Sequence, residues 1–363
     1  KNDIVILTAT SGDTGKAALA GFADVPGTKI IVFYPKGGVS RVQELQMVTQ
    51  KGENTSVVAI HGNFDHAQSG VKALFEDKEL EKELAAKGYQ FSSANSINIG
   101  RLVPQVVYYV YAYAKLLENE EIQAGEEINV TVPTGNFGNI LAAYYAKQMG
   151  VPIAKLICAS NENKVLFDFF QTGVYNRNRE FVLTSSPSMD ILISSNLERL
   201  IYTIAGQDAE KDTELMNELK EKGVYEITPE MKEKLADFRG GYATEEETAE
   251  MIHDTYKKTG YVMDTHTAVA AYVCKKYREE SKDTKNCLVA STASPYKFAR
   301  SVMTAIDPAY DAMDEFRLID ELNKVSGFPV PNAIEEIRNA EIRHTTECDA
   351  DKMKETVKEI LGV

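Results

Sequence analysis

Ile4-Val5-Ile6-Leu7 runs into Thr10-Ser11-Gly12-Asp13-Thr14-Gly15, and Ile128-Asn129-Val130-Thr131-Val132 runs into Pro133-Thr134-Gly135-Asn136-Phe137-Gly138-Asn139. In both places an apolar β-branched stretch reads as a strand, a glycine loop as a tight turn, and the alanines beyond as the start of a helix. A loop at such a junction aims free backbone N–H groups and the positive helix end at one point, which makes an anion site. Two of these in one chain point to a ligand, or a ligand pair, with more than one anionic group. The alternative for each loop is a turn that binds nothing.

Working outward, Lys29 to Pro35, Ser56 to Ile60 and Tyr89 to Ser93 read as further strands, separated by helices over 16–23, 40–51 and 64–86. A helix over 104–117, rich in Tyr and Val, is apolar nearly all round and is expected in a core or between domains. A second run follows, with strand 128–132, helix 140–149, strand 154–159, a charged helical region 207–258, helix 265–279 and strand 286–291 closing the sheet. Residues 333–363 read as a helix–strand–helix tail. Strands alternating with helices imply βαβ units and parallel sheets, an α/β fold. Lys1 to Ile4 enters a strand with no preceding cap or turn, so we expect the chain to start inside a domain, with an N-terminal portion missing.

The 363 residues can bury a sizeable core and fit two domains. A net charge of −14 argues against nucleic-acid and membrane-surface partners, which repel an acidic protein, but leaves room for a locally positive pocket. No apolar run reaches membrane-spanning length and the N-terminus shows no signal pattern, so the chain reads as cytoplasmic. Cys158, Cys274, Cys287 and Cys348 are scattered singly and the histidines form no ligand-spaced set, so no metal site is expected.

The first loop ends in Gly15-Lys16 but has Thr10 and Ala17 where a triphosphate-binding loop needs glycine and a hydroxyl, and no G-x-G-x-x-G follows a strand. Ser93 to Arg101 places amides, hydroxyls and one guanidinium just past a strand end; arginine suits phosphate or carboxylate through its planar fork. The plainer reading is a helix cap with a surface arginine. Beyond the last strand, Ser291 to Phe298 offers the Thr292 hydroxyl, which can face a ring nitrogen, and the Lys297 cation; the plainer reading is a turn capped by Ser294.

Taken together these stretches resemble threonine synthase of the longer bacterial and fungal type, among the pyridoxal-phosphate (PLP) enzymes of fold type II, the tryptophan-synthase β-like fold. Thr10 to Gly15 is similar to the family's S-G-D-T-G loop, and Asn95-Ser96-Ile97-Asn98 with Arg101 to N-S-I-N-x-x-R. Pro133 to Asn139 is similar to P-x-G-N-F-G-[ND], and Ser188-Met189-Asp190 lies in a stretch like S-x-[AS]-M-D. Asp264 to Ala268 resembles D-[PT]-H-[TA]-A, and Ser291 to Phe298 resembles T-A-H-P-x-K-F, with Ser294 where the family has histidine.

The resemblance implies two open, mostly parallel sheets flanked by helices. It implies a smaller domain over 1–103 on the substrate-loop side, a larger one over 104–310 holding the cofactor, and a tail 311–363 packed on the larger. The implied reaction converts O-phospho-L-homoserine and water to L-threonine and phosphate, by a monomer or weak homo-oligomer. By the same resemblance Gly135, Asn136, Phe137, Gly138 and Asn139 hold the PLP phosphate and Thr292 partners the pyridine nitrogen. Ser11, Gly12 and Asp13 lie at the substrate carboxylate and the cofactor's phenolic oxygen, and Thr14, Asn95, Ser96 and Arg101 at the substrate phosphate. The family's Schiff-base lysine sits in a Phe-Lys-Asp motif, which occurs nowhere in this chain; Lys1 lies too close to the first loop to match. The chain is therefore expected to be an incomplete enzyme. The alternatives are another PLP-dependent lyase, such as a threonine dehydratase or a phospho-lyase, or a non-catalytic domain that binds phosphate or PLP.

Overall fold

The computed structural model describes residues 2–95 and 98–363. Its strands are β1 (Asp3–Ala9), β2 (Thr28–Pro35), β3 (Thr55–His61), β4 (Tyr89–Ser93), β5 (Ile128–Pro133), β6 (Ile153–Ser160), β7 (Val174–Asn176), β8 (Val224–Glu226), β9 (Phe238–Tyr242), β10 (Cys287–Val289) and β11 (Thr346–Asp349). They fall in two compact units, Lys1–Asn98 with Asp314–Val363, and Ile99–Met313.

The smaller unit holds a sheet in the order β11-β3-β2-β1-β4, with every pairing parallel. Its central strands are near-continuous apolar runs because helices cover both faces. Val5, Leu7, Ile31, Phe33, Val58 and Ile60 are fully buried there, each burial favouring the fold by about 1.5–3 kcal/mol. The tail expected on the larger unit belongs here instead: Thr346 to Asp349 pairs with Val58 to His61, and Met353, Val357 and Leu361 of the following helix join the same apolar cluster. A strand in the tail is expected, but the short polar Thr-Glu-Cys-Asp carries no sign of which sheet it joins.

The larger unit holds a parallel sheet in the order β10-β5-β6-β9, with β7 and β8 forming a separate antiparallel pair. Strand β10 closes one edge, and β9, inside the stretch read as charged and helical, forms the other. Its sequence Phe-Arg-Gly-Gly-Tyr argues against a strand on propensity. Space decides otherwise: a Cβ on Gly240 would meet the Phe167 Cα at 3.1 Å and one on Gly241 would meet Val273 Cγ1 at 2.4 Å, so only glycine lets helices approach there.

Two helices differ from expectation. The run 64–86 is broken into Phe64–Glu76 and Lys78–Ala86, because Asp77 caps the second by accepting from the N–H groups of Glu79 (3.1 Å) and Leu80 (2.9 Å). The Val106–Glu118 helix buries Tyr109 and Tyr113 but leaves Val107, Tyr108, Val110 and Tyr111 exposed. Among the described residues no helix is long and apolar enough to cross a membrane.

Candidate active site

Strands β5 and β10 are parallel neighbours, with Thr131 opposite Val289, so the loops leaving their C-terminal ends emerge side by side. Ligands in open α/β sheets bind at that edge. The first of these loops is the Gly135–Asn139 stretch. Among the described residues the N–H groups of Gly135, Asn136, Phe137, Gly138 and Asn139 donate to no protein acceptor. Their carbonyls are occupied: Gly135 O accepts from Ser194 Oγ (2.7 Å), and Asn136 O accepts from both the backbone N–H and the Nδ2 of Asn196 (3.0 Å each). With oxygens tied back and amides left open, the loop is a nest of positive partial charge at a helix N-terminus.

Two features shape this nest. Phe137 adopts the left-handed conformation (φ 65°), which costs a non-glycine residue about 1–2 kcal/mol. Its ring, 1% exposed, packs against Phe170 and Phe238 at centroid distances of 6.1 and 5.9 Å, which holds that backbone in place. At Gly135 a Cβ would lie 2.4 Å from Ser188 O, so only glycine fits. The residues present thus fit the phosphate of a cofactor.

The segment pressing on Gly135 is itself fixed from two sides. Ser188 N–H donates to His266 Nε2 (3.2 Å), and a backbone N–H can only donate, so the proton of a neutral ring sits on Nδ1, facing Asp264 Oδ1 at 3.2 Å. Asp264 also caps the Thr265–Ser281 helix, accepting from the N–H groups of His266 and Thr267. Asp190, 4% exposed, accepts from Asn161 Nδ2 (2.8 Å), Asn163 Nδ2 (3.0 Å), and the hydroxyl (2.7 Å) and N–H (3.0 Å) of Thr184. Burial pushes its carboxyl above the ordinary range, against the pull of those hydrogen bonds. Tyr109, its phenol pushed up by burial, hydrogen-bonds the Asn139 side chain.

From the neighbouring strand β10 the chain continues to Ser291, whose hydroxyl accepts from Thr267 Oγ1 (3.3 Å), and then to Thr292, which is exposed. Ser294 accepts from the N–H of Tyr296, capping the short turn Pro295–Phe298 as the sequence indicated.

The first loop, in the smaller unit, is wired differently. Thr10 Oγ1, buried, accepts from Gly12 N–H (2.9 Å) and Gly15 N–H (2.8 Å), so two of the loop's amides are spent internally. Gly12 has φ 128°, and a Cβ there would lie 2.5 Å from the Gln43 amide. Gln43 Nε2 donates to Asp13 Oδ1 (2.9 Å), orienting that carboxylate. Asn95, leaving neighbouring β4, spans to the end of β1: Nδ2 donates to Ala9 O (2.9 Å) and Oδ1 accepts from Ala9 N–H (3.4 Å).

The structure thus gathers Ser11, Gly12, Asp13, Thr14 and Asn95 on the smaller unit, and Gly135 to Asn139 with Thr292 on the larger. Arg101 lies in the larger unit on the short helix Ile99–Leu102, its carbonyl accepting from Gln105 Nε2 (2.6 Å) and its guanidinium pKa lowered by burial. Ser96 lies outside the described residues. Sequence reasoning assigned no role to Gln43, Asp190, Asp264 or His266. Gln43 was visible as the fourth residue of a Ser-x-x-Gln capping box from Ser40, and the others lay in motifs already quoted. Among the described residues no group of three or more His, Cys, Asp or Glu side chains converges as a metal site would require.

Comparison with known proteins bears on this geometry. Residues 1–293 match the family described as pyridoxal-phosphate dependent enzyme, and residues 267–358 match the C-terminal region of threonine synthase. The chain is 44% identical to threonine synthase-like 1 of Homo sapiens over 83% of this chain and 41% of that protein. It is 37% identical to threonine synthase of Saccharomyces cerevisiae over 90% of this chain and 65% of that protein. The structure of PLP-bound threonine synthase from Brucella melitensis superposes with a TM-score of 0.81 at 35% identity, covering 99% of this chain and 71% of that one. The chain therefore spans about two fifths of the length of its threonine synthase-like 1 relatives. With its fold type II architecture and its phosphate-fitting loop, it belongs to the threonine synthases and their like among the pyridoxal-phosphate-dependent enzymes, and its cofactor is pyridoxal phosphate.

Proposed function

We propose that this chain supplies cofactor- and substrate-binding parts of a threonine synthase, which converts O-phospho-L-homoserine and water to L-threonine and phosphate. One observation carries the reading: the succession of open N–H groups from Gly135 to Asn139, suited to a phosphate ester. When bound, PLP supplies an electron sink that eases proton removal from the amino acid. The chain's own residues bind and orient. Thr292, beside the nest, is the partner for the ring nitrogen; a neutral hydroxyl there leaves the ring less electron-demanding than a carboxylate would. Ser11, Gly12 and Asp13 receive the substrate carboxylate and the cofactor's phenolic oxygen, with Asp13 held by Gln43. Thr14, Ser96 and Arg101 take the substrate phosphate and stabilise it as it departs. Asn95, oriented by its hydrogen bonds with Ala9, joins them at that phosphate.

No Phe-Lys-Asp occurs in the chain, so by itself it is expected to hold PLP through the phosphate without turnover. Its net charge of −14 supports a reading without nucleic-acid or membrane-surface partners, and a cytoplasmic monomer or weak homo-oligomer completes the proposal. Titrations with PLP and with pyridoxal, read by absorbance, test the phosphate site; equal affinity for both would remove it. Borohydride reduction and peptide mapping should leave every lysine unmodified, and a pyridoxyl-lysine would overturn the expectation of no turnover. In a protein that carries this chain together with an imine-forming lysine, threonine with equimolar phosphate is the expected product. Release of 2-oxobutanoate would instead assign a different lyase. In that protein Arg101→Ala should cripple turnover of O-phospho-L-homoserine; unchanged kinetics would refute its assignment.

A further inference from the structure

Cys274 sits on the Thr265–Ser281 helix and Cys287 opens β10. Scattered in sequence, the two sulfurs lie 2.8 Å apart, and Cys287 Sγ is also 3.1 Å from Thr131 Oγ1 on β5. An approach of about 0.8 Å separates them from a disulfide bond length of about 2.05 Å.

The surroundings set these two thiols apart from the others. The hydrogen bond with Cys287 is the largest influence on Cys274, and with Thr131 and the Arg278 guanidinium it outweighs burial, bringing that thiol down to about 7. A thiolate is therefore available near neutral pH. Cys287 is pushed up by the same pairing and by burial. Cys158 is fully buried and its thiol is pushed up to about 12, while burial raises Cys348. Neither offers a comparable nucleophile.

We infer that Cys274 and Cys287 form an oxidation site whose co-reactant is a small hydroperoxide and whose product is a disulfide joining the helix to β10. The Cys274 thiolate attacks one peroxide oxygen; an S–O bond forms, the O–O bond breaks, and the released hydroxide takes up a proton to leave as water. Cys287 sulfur then attacks the Cys274 sulfur. The S–S bond forms, the S–O bond breaks, and the hydroxide departs as water with the proton of Cys287. Two thiols and one hydrogen peroxide become one disulfide and two waters, with the sulfurs losing two electrons in total. Both linked elements end at the nest: the helix begins with Asp264 and His266, which hold Ser188, and β10 leads to Ser291 and Thr292.

The test is hydrogen peroxide treatment of the whole chain, alkylation of remaining thiols in denaturant, and peptide mass mapping without reductant. Free thiols should fall from the four of the reduced chain to two. One cross-linked peptide should contain Cys274 and Cys287, and dithiothreitol should restore all four thiols. In Cys287→Ser the resolving sulfur is gone, and dimedone should label Cys274 instead. Retention of all four thiols, first oxidation at Cys158 or Cys348, or disulfides only between chains would each overturn the assignment. The wild-type map decides this even where a variant fails to fold.

Discussion

Replacing Gly135 by alanine probes the nest at its tightest point. The added Cβ would stand 2.4 Å from Ser188 O and 3.4 Å from the Met189 Cα, both backbone atoms, so no side-chain rotation relieves the clash. The opposing segment has little freedom, since Ser188 is tied to His266 and Asp190 holds Asn161, Asn163 and Thr184. Gly135 O is also fixed by Ser194 Oγ, so the loop must turn its amides away to make room. Overpacking of this kind costs about 1–3 kcal/mol of stability. A hydrogen bond to a charged phosphate contributes about 1.5–3 kcal/mol, so misaiming one N–H weakens PLP binding roughly 10- to 100-fold at 1.4 kcal/mol per decade. The assay pairs urea denaturation with PLP titration, and pyridoxal, which has no phosphate, is the control. The expected pattern is a large loss for PLP and a small one for pyridoxal. A Gly135→Ala protein that binds PLP as tightly as the parent would refute the nest, and equal losses for both ligands would place the contact elsewhere on the cofactor.

Further outcomes follow from single contacts. Phe137→Gly relieves a left-handed strain of about 1–2 kcal/mol but removes a buried ring whose loss costs about 3–5 kcal/mol, so urea denaturation should find a net loss; a more stable variant would mean that the ring contributes little. Thr10→Val keeps the shape of the side chain while orphaning the N–H groups of Gly12 and Gly15; at about 1–3 kcal/mol for each buried unsatisfied group, a clear fall in melting temperature is expected. Asp212 is pushed up to about 6 by burial and then by Glu198. Its folded form therefore holds a proton that the unfolded chain releases near 3.8, and its stabilising contribution, complete below that value, is lost as pH rises through about 6. Asp212→Asn should flatten that slope in pH-dependent denaturation and, after discounting for solvent, stabilise the protein at neutral pH by about 1 kcal/mol; an unchanged slope would remove Asp212 as its source.

Much of this architecture could be seen in the sequence because the strands that build it are buried on both faces. Val5 to Leu7 and Ile30 to Phe33 lack polar alternation, and they and the β-branched Val130 to Val132 run on toward glycines, which marks a parallel sheet as well as a site. What escaped was set by tertiary space. Phe238 to Tyr242 looks unlike a strand because its glycines serve helix approach rather than strand propensity, and the tail's strand, Thr346 to Asp349, joins the smaller unit's sheet because β3 offers an edge. The Gly135–Asn139 nest was legible from its glycines, but the supports from Asp190 and His266 were not, since polar residues reveal a shared purpose only when burial brings them together. Cys274 and Cys287 make the same point: apart in sequence they look idle, yet they touch because one helix lies on one strand.

The two glycine loops share a local design and differ in how their amides are used. At Gly135–Asn139 the carbonyls are bound by Ser194 and Asn196, and the N–H groups face no protein partner among the described residues. At Thr10–Gly15 a buried hydroxyl draws two N–H groups inward, and Gln43 fixes Asp13. An open nest suits a group that stays through every turnover, because its binding needs no rearrangement and water cannot match several aligned donors. A loop braced by its own threonine keeps its shape while empty, which suits a ligand that arrives and leaves each cycle and is gripped by side chains at the loop's rim. On the proposed assignment, a division of labour between resident cofactor and transient substrate in the complete enzyme would follow from which atoms of each loop the protein has already satisfied.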